Sequence, residues 1–406
     1  MSFFKKTIRN VPLAGQTILL RADYNVPLTD KGEISDDLRI RASLPTLEYL
    51  KKRGCRVVII SHLGRPDGRD VSCSLEPVAT RLSELLGEKV EFIDETVGEK
   101  VHHAVRTAPK GSVLLLENLR FFKEEEADDM EFARSIVQSV RPDYFVQDGF
   151  GVVHRAHAST QAITLLVPSV AGLLLEKEYL TITKAMERPK RPLVAVMGGA
   201  KVSDKITVIE HFVDIADRIL IGGAMANTFL AYKGLNVGKS KCEAGQEEVL
   251  DKLYAAAAKK VGKEHVDSFI VLPRDVAVAP AIDAIAKRAE RPVSGIHDED
   301  IALDIGRVSI ELYTKILAQA QTVIWNGTLG YAELSEFAHG SARVALSLAT
   351  HPDTTSIVGG GDTADFVLKW DGNGGAAFTH VSTGGGASLD LMAGKPLPGV
   401  ESLLDA

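Results

Sequence analysis

Ser356-Ile357-Val358-Gly359-Gly360-Gly361-Asp362-Thr363-Ala364 decides how this chain folds. A short β-branched run feeds three glycines, then Asp-Thr, then a helical pattern through Phe366 and Leu368. Glycines let a backbone come close to a ligand. A helix opening at Asp362 or Thr363 aims free N–H groups and a positive dipole end at that ligand, so an anion is its natural guest. Phosphate is the anion expected, with Asp362 placed to hold its metal counter-ion. The plainer alternative is a glycine turn with Asp or Thr as helix cap. One such loop would favour the plainer alternative, but this chain repeats the pattern.

Outward from that stretch, β-rich runs alternate with helical ones. In the first half the runs are Thr17–Ala22, Val57–Ser61, Val90–Ile93, Val113–Glu117 and Tyr144–Gln147, with helical spacing over Ile40–Lys52 and Leu75–Leu86. After Pro168 a long pattern, Leu173–Met186, predicts a helix closed by Pro189 and Pro192, read as one that links two domains, the alternative being a helix inside one domain. The alternation then restarts with Leu193–Met197, Arg218–Ile221, Phe269–Leu272, Thr322–Trp325, Thr355–Val358 and Phe378–Ser382. Runs apolar on both faces, separated by helices, predict α/β domains built on parallel sheets. With 406 residues, two domains are expected.

Ligands of open α/β sheets lie beyond the carboxyl ends of the strands. In the first half those ends carry cations: Arg21, Asp23 and Asn25; Ser61-His62-Leu63-Gly64-Arg65-Pro66; Glu117-Asn118-Leu119-Arg120-Phe121; Asp148-Gly149-Phe150-Gly151 and His154-Arg155-Ala156-His157. Arg39 and Arg41 lie near the start of the first helix. A single arginine is most often a surface ion pair of little weight. Several at one sheet edge predict a small, multiply charged acid, because guanidinium forks match phosphate and carboxylate. In the second half the ends are glycine-rich: Gly198–Lys205, Gly222–Thr228, Asn326–Glu333, Gly359–Thr363 and Thr383–Gly386. Five such turns point to a nucleotide. Lys201 and Lys205 are spaced to share one face of a helix opening, and Glu333 is placed to accept from a ribose. Chemistry then needs the two half-sites to meet, with domain closure excluding water.

Composition narrows the classes. A formal charge of −7 and a pI near 5.9 give no overall attraction for nucleic acid or anionic membrane. Cys55, Cys73 and Cys242 have no metal-ligand spacing and read as free thiols of a reducing compartment. The start, Met1-Ser2-Phe3-Phe4-Lys5-Lys6, has no signal-peptide pattern, and the apolar tract Ala162–Leu175 is broken by Pro168. A soluble cytoplasmic protein is expected. The histidines show no zinc spacing. Neither a Gly-x4-Gly-Lys-Ser/Thr loop nor a Gly-x-Gly-x-x-Gly fingerprint after a strand is present, which counts against a dinucleotide-dependent oxidoreductase.

These motifs resemble phosphoglycerate kinase. The resemblance runs from Arg21-Ala22-Asp23-Tyr24-Asn25-Val26-Pro27 to Pro396-Leu397-Pro398-Gly399-Val400. Its most specific motifs are Ser61–Pro66, Leu116–Phe121, His154–His157, Gly198–Lys205, Gly359–Thr363 and Ser382–Ser388. It implies two doubly wound, Rossmann-like parallel-sheet domains joined by a linking helix, with a cleft between them. The implied boundaries are 1–172 for 3-phosphoglycerate binding, 173–188 for the helix, 189–388 for the nucleotide and 389–406 for a tail returning to the first domain. The implied reaction is reversible, Mg²⁺-dependent transfer of phosphate between 1,3-bisphosphoglycerate and ADP, giving 3-phosphoglycerate and ATP, by a monomer of glycolysis and gluconeogenesis.

By the family pattern, Arg21, Asp23, Tyr24, Asn25, Arg39, His62, Leu63, Gly64, Arg65, Arg120 and Arg155 would hold the acid. Gly199, Lys201, Lys205, Gly223, Gly306, Asn326, Glu333, Gly360, Gly361, Asp362 and Thr363 would bind the nucleotide. Asp362 would sit close to Mg²⁺ held mainly by the nucleotide phosphates. Arg39, Lys201 and the backbone of Gly384, Gly385 and Gly386 would stabilise the moving phosphoryl. An acceptor carboxylate is already ionised at neutral pH, so no general base is required. The chain departs from the pattern at Gly149, Val152, Val153, Arg307, Thr328, Leu329, Tyr331 and Ala393, mostly on the adenosine side or in loops beside the hinge. A silent binding or scaffold protein derived from the kinase would be expected to have lost Arg39, Lys201 or Asp362, and all three are present.

Overall fold

Thr17–Arg21 (β1) and Arg56–Ile60 (β2) have wholly apolar middles, and such strands need cover on both faces. The computed structural model, which describes residues 3–283 and 285–406, provides it. Ile18, Leu20, Val57 and Ile59 pack with Ile40, Leu47 and Leu50 of α1 (Leu38–Lys51) and Val78 and Leu82 of α2 (Glu76–Leu86). Leu19, Val58 and Ile60 point the other way, into a second cluster. That cluster holds Val101 and Val105 of α3 (Glu99–Thr107), then, beyond the single turn α4 (Lys123–Glu126), Ile136 and Val140 of α5 (Met130–Val140). The sheet is completed by β3 (Val90–Ile93), β4 (Val113–Leu116), β5 (Tyr144–Gln147) and β6 (Ser169–Ala171).

Its order is β3-β4-β2-β1-β5-β6, with every neighbour parallel. The chain leaves β1 on one side and returns as β5 on the other. That reversal opens the crevice where open α/β sheets bind ligands. Backbones crowd there: a Cβ on Gly149 would lie 3.1 Å from the Ala22 carbonyl carbon and the Asp23 nitrogen.

The chain divides into two compact units, one running to Leu180 and including Lys395–Ala406, the other Thr181–Gly394. The break falls inside α6 (Leu173–Glu187). The start of α6 is held by the first unit, because Asp148 Oδ1 accepts the Leu174 N–H at 2.9 Å and Thr46 Oγ1 accepts the Leu173 N–H at 3.0 Å. Gly172 is required for this: a Cβ there would fall 2.0 Å from Asp148 Oδ1.

The second unit runs through β7 (Leu193–Met197), α7 (Ile206–Ile215), β8 (Arg218–Ile221), α8 (Gly223–Tyr232), α9 (Glu247–Val261), α10 (Val266–Phe269) and β9 (Ile270–Val271). Next come β10 (Asp275–Ala279), β11 (Ala289–Pro292) and β12 (Ile301–Ile305). It finishes with α11 (Arg307–Leu317), β13 (Thr322–Asn326), α12 (His339–Ala349), β14 (Thr355–Gly359), α13 (Gly361–Asp371), β15 (His380–Val381) and α14 (Gly386–Met392). Its main sheet, ordered β15-β14-β13-β7-β8-β9, is again all parallel. Here the order reverses between β13 and β7. Val194, Val196, Val323, Trp325 and Val358 pack on Tyr313 and Leu317 of α11, Val344 and Leu348 of α12 and Val367 of α13.

A second, antiparallel sheet, β11-β10-β12, was not anticipated from the sequence. Ala289-Glu290-Arg291-Pro292 has no strand-like composition and is held by pairing with β10 rather than by propensity. β6 escaped notice too, since three residues after Pro168 carry no periodicity. The last segment returns to the first unit. The Lys6 N–H donates to the Leu404 carbonyl at 2.7 Å, the Gly399 N–H to the Val153 carbonyl at 2.9 Å, and Lys5 Nζ reaches Asp405 Oδ1 at 2.7 Å. This segment contains α15 (Pro398–Glu401).

Candidate functional site

In the first unit the loops after β1, β2, β4 and β5 are bonded into one frame. Ser61 Oγ donates to the Ala22 carbonyl and accepts the Tyr24 N–H, at 2.8 and 2.9 Å. Asn25 Oδ1 accepts the Gly64 N–H at 2.9 Å, and Arg120 donates to the Gly64 carbonyl at 2.7 Å. Asn118 brackets Leu63, accepting its N–H and donating to its carbonyl. Arg39 donates to the Asn25 carbonyl at 2.8 Å and pairs with Asp23 at 3.3 Å. Arg65, Arg120, Lys123 and Arg155 then line a cavity of about 490 Å³ with Asp67 and Glu126. Four cations against two carboxylates leave it positive.

The same frame fixes proton states. Burial, reinforced by Arg21, Arg120 and Arg39, holds His62 well below the usual imidazole range. Burial, reinforced by Arg21, Arg120 and Arg155, pushes His157 down to about 3. Both rings are neutral at pH 7, so they can hydrogen-bond an acid without adding charge. Behind them lies a buried pair, Arg21 and Glu125, with nitrogen and oxygen 3.8 Å apart. Glu125 accepts from Ser159 N–H at 3.1 Å and Ser159 O–H at 2.5 Å, and Arg21 Nε donates to Ser159 Oγ at 2.8 Å.

Arg21 therefore departs from its expected place as a ligand contact. It is 1 % exposed, and its fork is committed to Ser159, the Ala22 carbonyl and His62 Nδ1. Tyr24 and Leu63 also turn inward, the Tyr24 hydroxyl to Ser43 at 2.9 Å, which leaves only their backbone near the crevice. Glu125 was missed in the sequence, and Asn118, though quoted beyond β4, was given no role of its own. Glu125 sits in an acidic run that reads as a solvated face, and only its fold position marks it as the counter-charge of Arg21.

In the second unit the loops after β7 and β13 touch backbone to backbone. The Gly198 N–H donates to the Asn326 carbonyl and the Gly199 N–H to the Thr328 carbonyl, both at 2.9 Å. A Cβ on Gly198 would fall 2.2 Å from the Thr328 carbonyl oxygen, and Gly327, at φ +95°, would strike Gly198. Lys205 threads this contact, its ammonium donating to the Gly198 and Asn326 carbonyls at 2.8 and 3.2 Å. Burial lowers Lys205 to about 8, with Asp362 and Asp204 near enough to oppose the shift.

The pairing expected of Lys201 and Lys205 is absent. α7 begins only at Ile206, so both precede it; Lys205 turns inward while Lys201 is exposed. Glu243 accepts from the N–H and hydroxyl of Ser203 and so braces the turn between the two lysines.

Gly360 and Gly361 open α13, with Asp362 in its first turn. A Cβ on Gly361 would meet nothing within 4 Å, so space lies over this helix end. Thr363 ties the loop to β13 by accepting the Gly327 N–H at 2.7 Å. The Asn326 side chain faces Gly360, and both ends of its buried amide lack a hydrogen-bond partner. A buried amide left unpaired is costly and marks a place for a polar ligand. Gly223 is packed against Gly199, and Glu333 is exposed. Gly306 precedes α11, whose first N–H groups are already taken by Asp275 at 2.7 and 3.0 Å. That helix end is closed to phosphate, and Gly306 offers only a backbone wall. Gly385, at φ +50°, precedes α14, and the Gly384 N–H donates to Ser382 Oγ at 3.1 Å. A metal carried by nucleotide phosphates needs one protein oxygen, and the exposed carboxylate of Asp362 beside that open helix end fits.

The sequence pattern defining the family described as Phosphoglycerate kinase matches residues 8–395. Among similar proteins are the phosphoglycerate kinases of Pelotomaculum thermopropionicum, 45% identical with 99% of each chain covered, and of Nostoc sp., 46% identical with 99% of this chain and 100% of that one. Among solved structures, phosphoglycerate kinase from Coxiella burnetii superposes with a TM-score of 0.83 at 35% identity, covering 98% of both chains. That from Pyrococcus horikoshii gives 0.82 at 33%, with the same coverage.

Proposed function

Because the chain belongs to the phosphoglycerate kinase family and is a phosphotransferase, we propose that it moves a phosphoryl group reversibly between 1,3-bisphosphoglycerate and ADP. The products are 3-phosphoglycerate and ATP, and the step belongs to glycolysis and gluconeogenesis. The observation that carries this reading is the positive cavity around Arg65, Arg120 and Arg155, fixed by a buried frame before any ligand arrives. It suits the phosphate of 3-phosphoglycerate. Asp23, Asn25, Arg39 and His62 take the glyceric acid end, and the Gly64 backbone, bonded to Asn25 and Arg120, holds those two side chains in place. Arg21 is a positioning residue that holds His62.

On the other unit, Lys201, Lys205 and the Gly360–Thr363 helix start take the phosphates of ADP or ATP, and Asn326, Gly306 and Glu333 the nucleoside; Gly199 and Gly223, their N–H groups bonded to the Thr328 and Leu329 carbonyls, shape the wall beside the phosphates. Asp362 would help hold Mg²⁺, which supplies charge neutralisation on the phosphates. In-line transfer is then positioning and charge. The acceptor carboxylate is ionised and needs no base, in keeping with two neutral histidines. Arg39, Lys201 and the N–H groups of Gly385 and Gly386 neutralise the transferring oxygens, the Gly384 N–H being held by Ser382, and hinge closure brings donor to acceptor. The free thiols Cys55, Cys73 and Cys242 suit a reducing compartment, and the protein is read as a monomer of the cytoplasm.

Arg39→Ala tests the acid side in a coupled assay with ADP, combined with titration calorimetry. Turnover should fall by about two orders of magnitude, the cost of losing one charge-stabilising donor, while nucleotide affinity stays within a factor of two or so. A defect confined to nucleotide binding would remove Arg39 from the transfer step.

Lys205 gives a pH signature. Free, it titrates near 8; a bound phosphate favours the ammonium and raises that value. Between the two values the complex holds more protons, so nucleotide binding takes up protons around pH 8 to 9 and weakens as pH rises through that range. Calorimetry in buffers of different ionisation enthalpy reads the uptake directly. Proton release, or none, would place Lys205 outside the phosphate site.

A further inference from the structure

Arg120 makes two different bonds at the ends of its fork. One nitrogen is fixed on the Gly64 carbonyl at 2.7 Å; the other lies 3.0 Å from Glu126 Oε1. The Arg120 side chain is 6 % exposed, whereas that of Glu126 is 54 % exposed. Among the described residues no other carboxylate pairs with Arg65, Arg120 or Arg155 at this distance, although Asp67 lines the same cavity. Arg65 and Arg155 lie close enough to act on Arg120 electrostatically. Glu126 thus stands where an incoming phosphate would meet the trio.

Two features separate this contact from a structural one. The backbone beneath Glu126 is anchored, because the preceding Glu125 is buried and bonded to Ser159, so the Glu126 side chain can swing outward without moving α4. By contrast, Asp23, the partner of Arg39, is nearly buried and also accepts the Asn25 N–H, which pins it.

We propose that Glu126 is a placeholder for the substrate phosphate: it occupies Arg120 in the empty site and is displaced when the acid binds, setting the affinity for 3-phosphoglycerate. This rests on the acid-binding reading above. Displacement has three consequences. The empty trio is partly neutralised, so the site does not hold every passing anion. Only an anion able to reach several of the arginines at once outbids a single carboxylate. And the acid binds more weakly than the arginines alone would allow.

The test is Glu126→Gln, which keeps size and removes charge. Calorimetry on the whole protein without nucleotide, at low ionic strength, should give a 3-phosphoglycerate Kd lower by roughly two- to fivefold, the scale of an exposed ion pair that no longer has to be broken. The gain should shrink as NaCl is added, ADP affinity should not move, and the urea midpoint should fall by no more than this one exposed pair contributes. An unchanged or higher Kd in the variant, with wild-type binding intact, overturns the placeholder alone and makes Glu126 an orienting partner of Arg120. Absence of 3-phosphoglycerate binding by both proteins overturns the acid-binding reading together with it.

Discussion

Lys201→Ala should lower turnover by about two to three orders of magnitude with the fold intact. Lys201 is exposed, and its neighbour Val202 rather than its own side chain anchors the turn in the core. Nothing packed is removed, and the change in unfolding free energy should stay within ~0.5 kcal/mol. The ammonium serves the transferring oxygens, so the loss should appear in kcat and in kcat/KM alike, not as a raised KM alone. Stopped-flow or coupled assays in both directions, with thermal unfolding as control, read this out. Unchanged turnover would reject the role given to Lys201. Collapse of the fold would show that the turn needs the side chain for shape.

Glu125→Ala should cost about 3 to 5 kcal/mol of stability, the price of leaving an ion buried without its partner. Burial pushes Glu125 up and Arg21 down, each being held in its charged form chiefly by the other. Removing the carboxylate leaves the Arg21 guanidinium 1 % exposed, with Ser159 freed from its other bond. Glu125→Gln keeps the shape and one acceptor for Ser159, so it should lose less. Urea denaturation followed by fluorescence and far-UV dichroism measures both. A loss under ~1 kcal/mol for the alanine variant would mean that Arg21 rests on carbonyl and hydroxyl contacts instead. Since Arg21 also bonds His62, the surviving folded fraction should bind 3-phosphoglycerate more weakly.

The parts legible in the sequence were those whose cause is local. β3, β5, β7 and β8 have the bounds of their β-rich runs, most plainly β7, where every residue is apolar and buried and such a run has few other stable uses. The glycine turns were legible for the same reason: a backbone contact as close as Gly198 on Thr328 forbids a side chain. What escaped is set by partners distant in sequence. β11 is a strand because β10 offers it hydrogen bonds, and α11 is capped by Asp275 from another element. Lys201 and Lys205 have the spacing of a helix pair, but Lys205 finds two carbonyls that draw it inward before the helix begins. Arginines at strand ends predicted an anion site, and Arg65, Arg120 and Arg155 do gather around one cavity. Which of them faces outward depended on Glu125 and Ser159, and no spacing in the chain announces that pairing.

The first unit is discontinuous along the chain, since Lys395–Ala406 belong with it while Thr181–Gly394 do not. During synthesis, then, every residue of the second unit is made before the first possesses all its parts. Phe4 and Lys6 must wait for Leu404 and Ala406, and the Val153 carbonyl, two residues from Arg155, must wait for Gly399. The first unit is thus tied shut by residues that follow the whole of the second, and the backbone two positions from Arg155 takes its final bond from that distant segment.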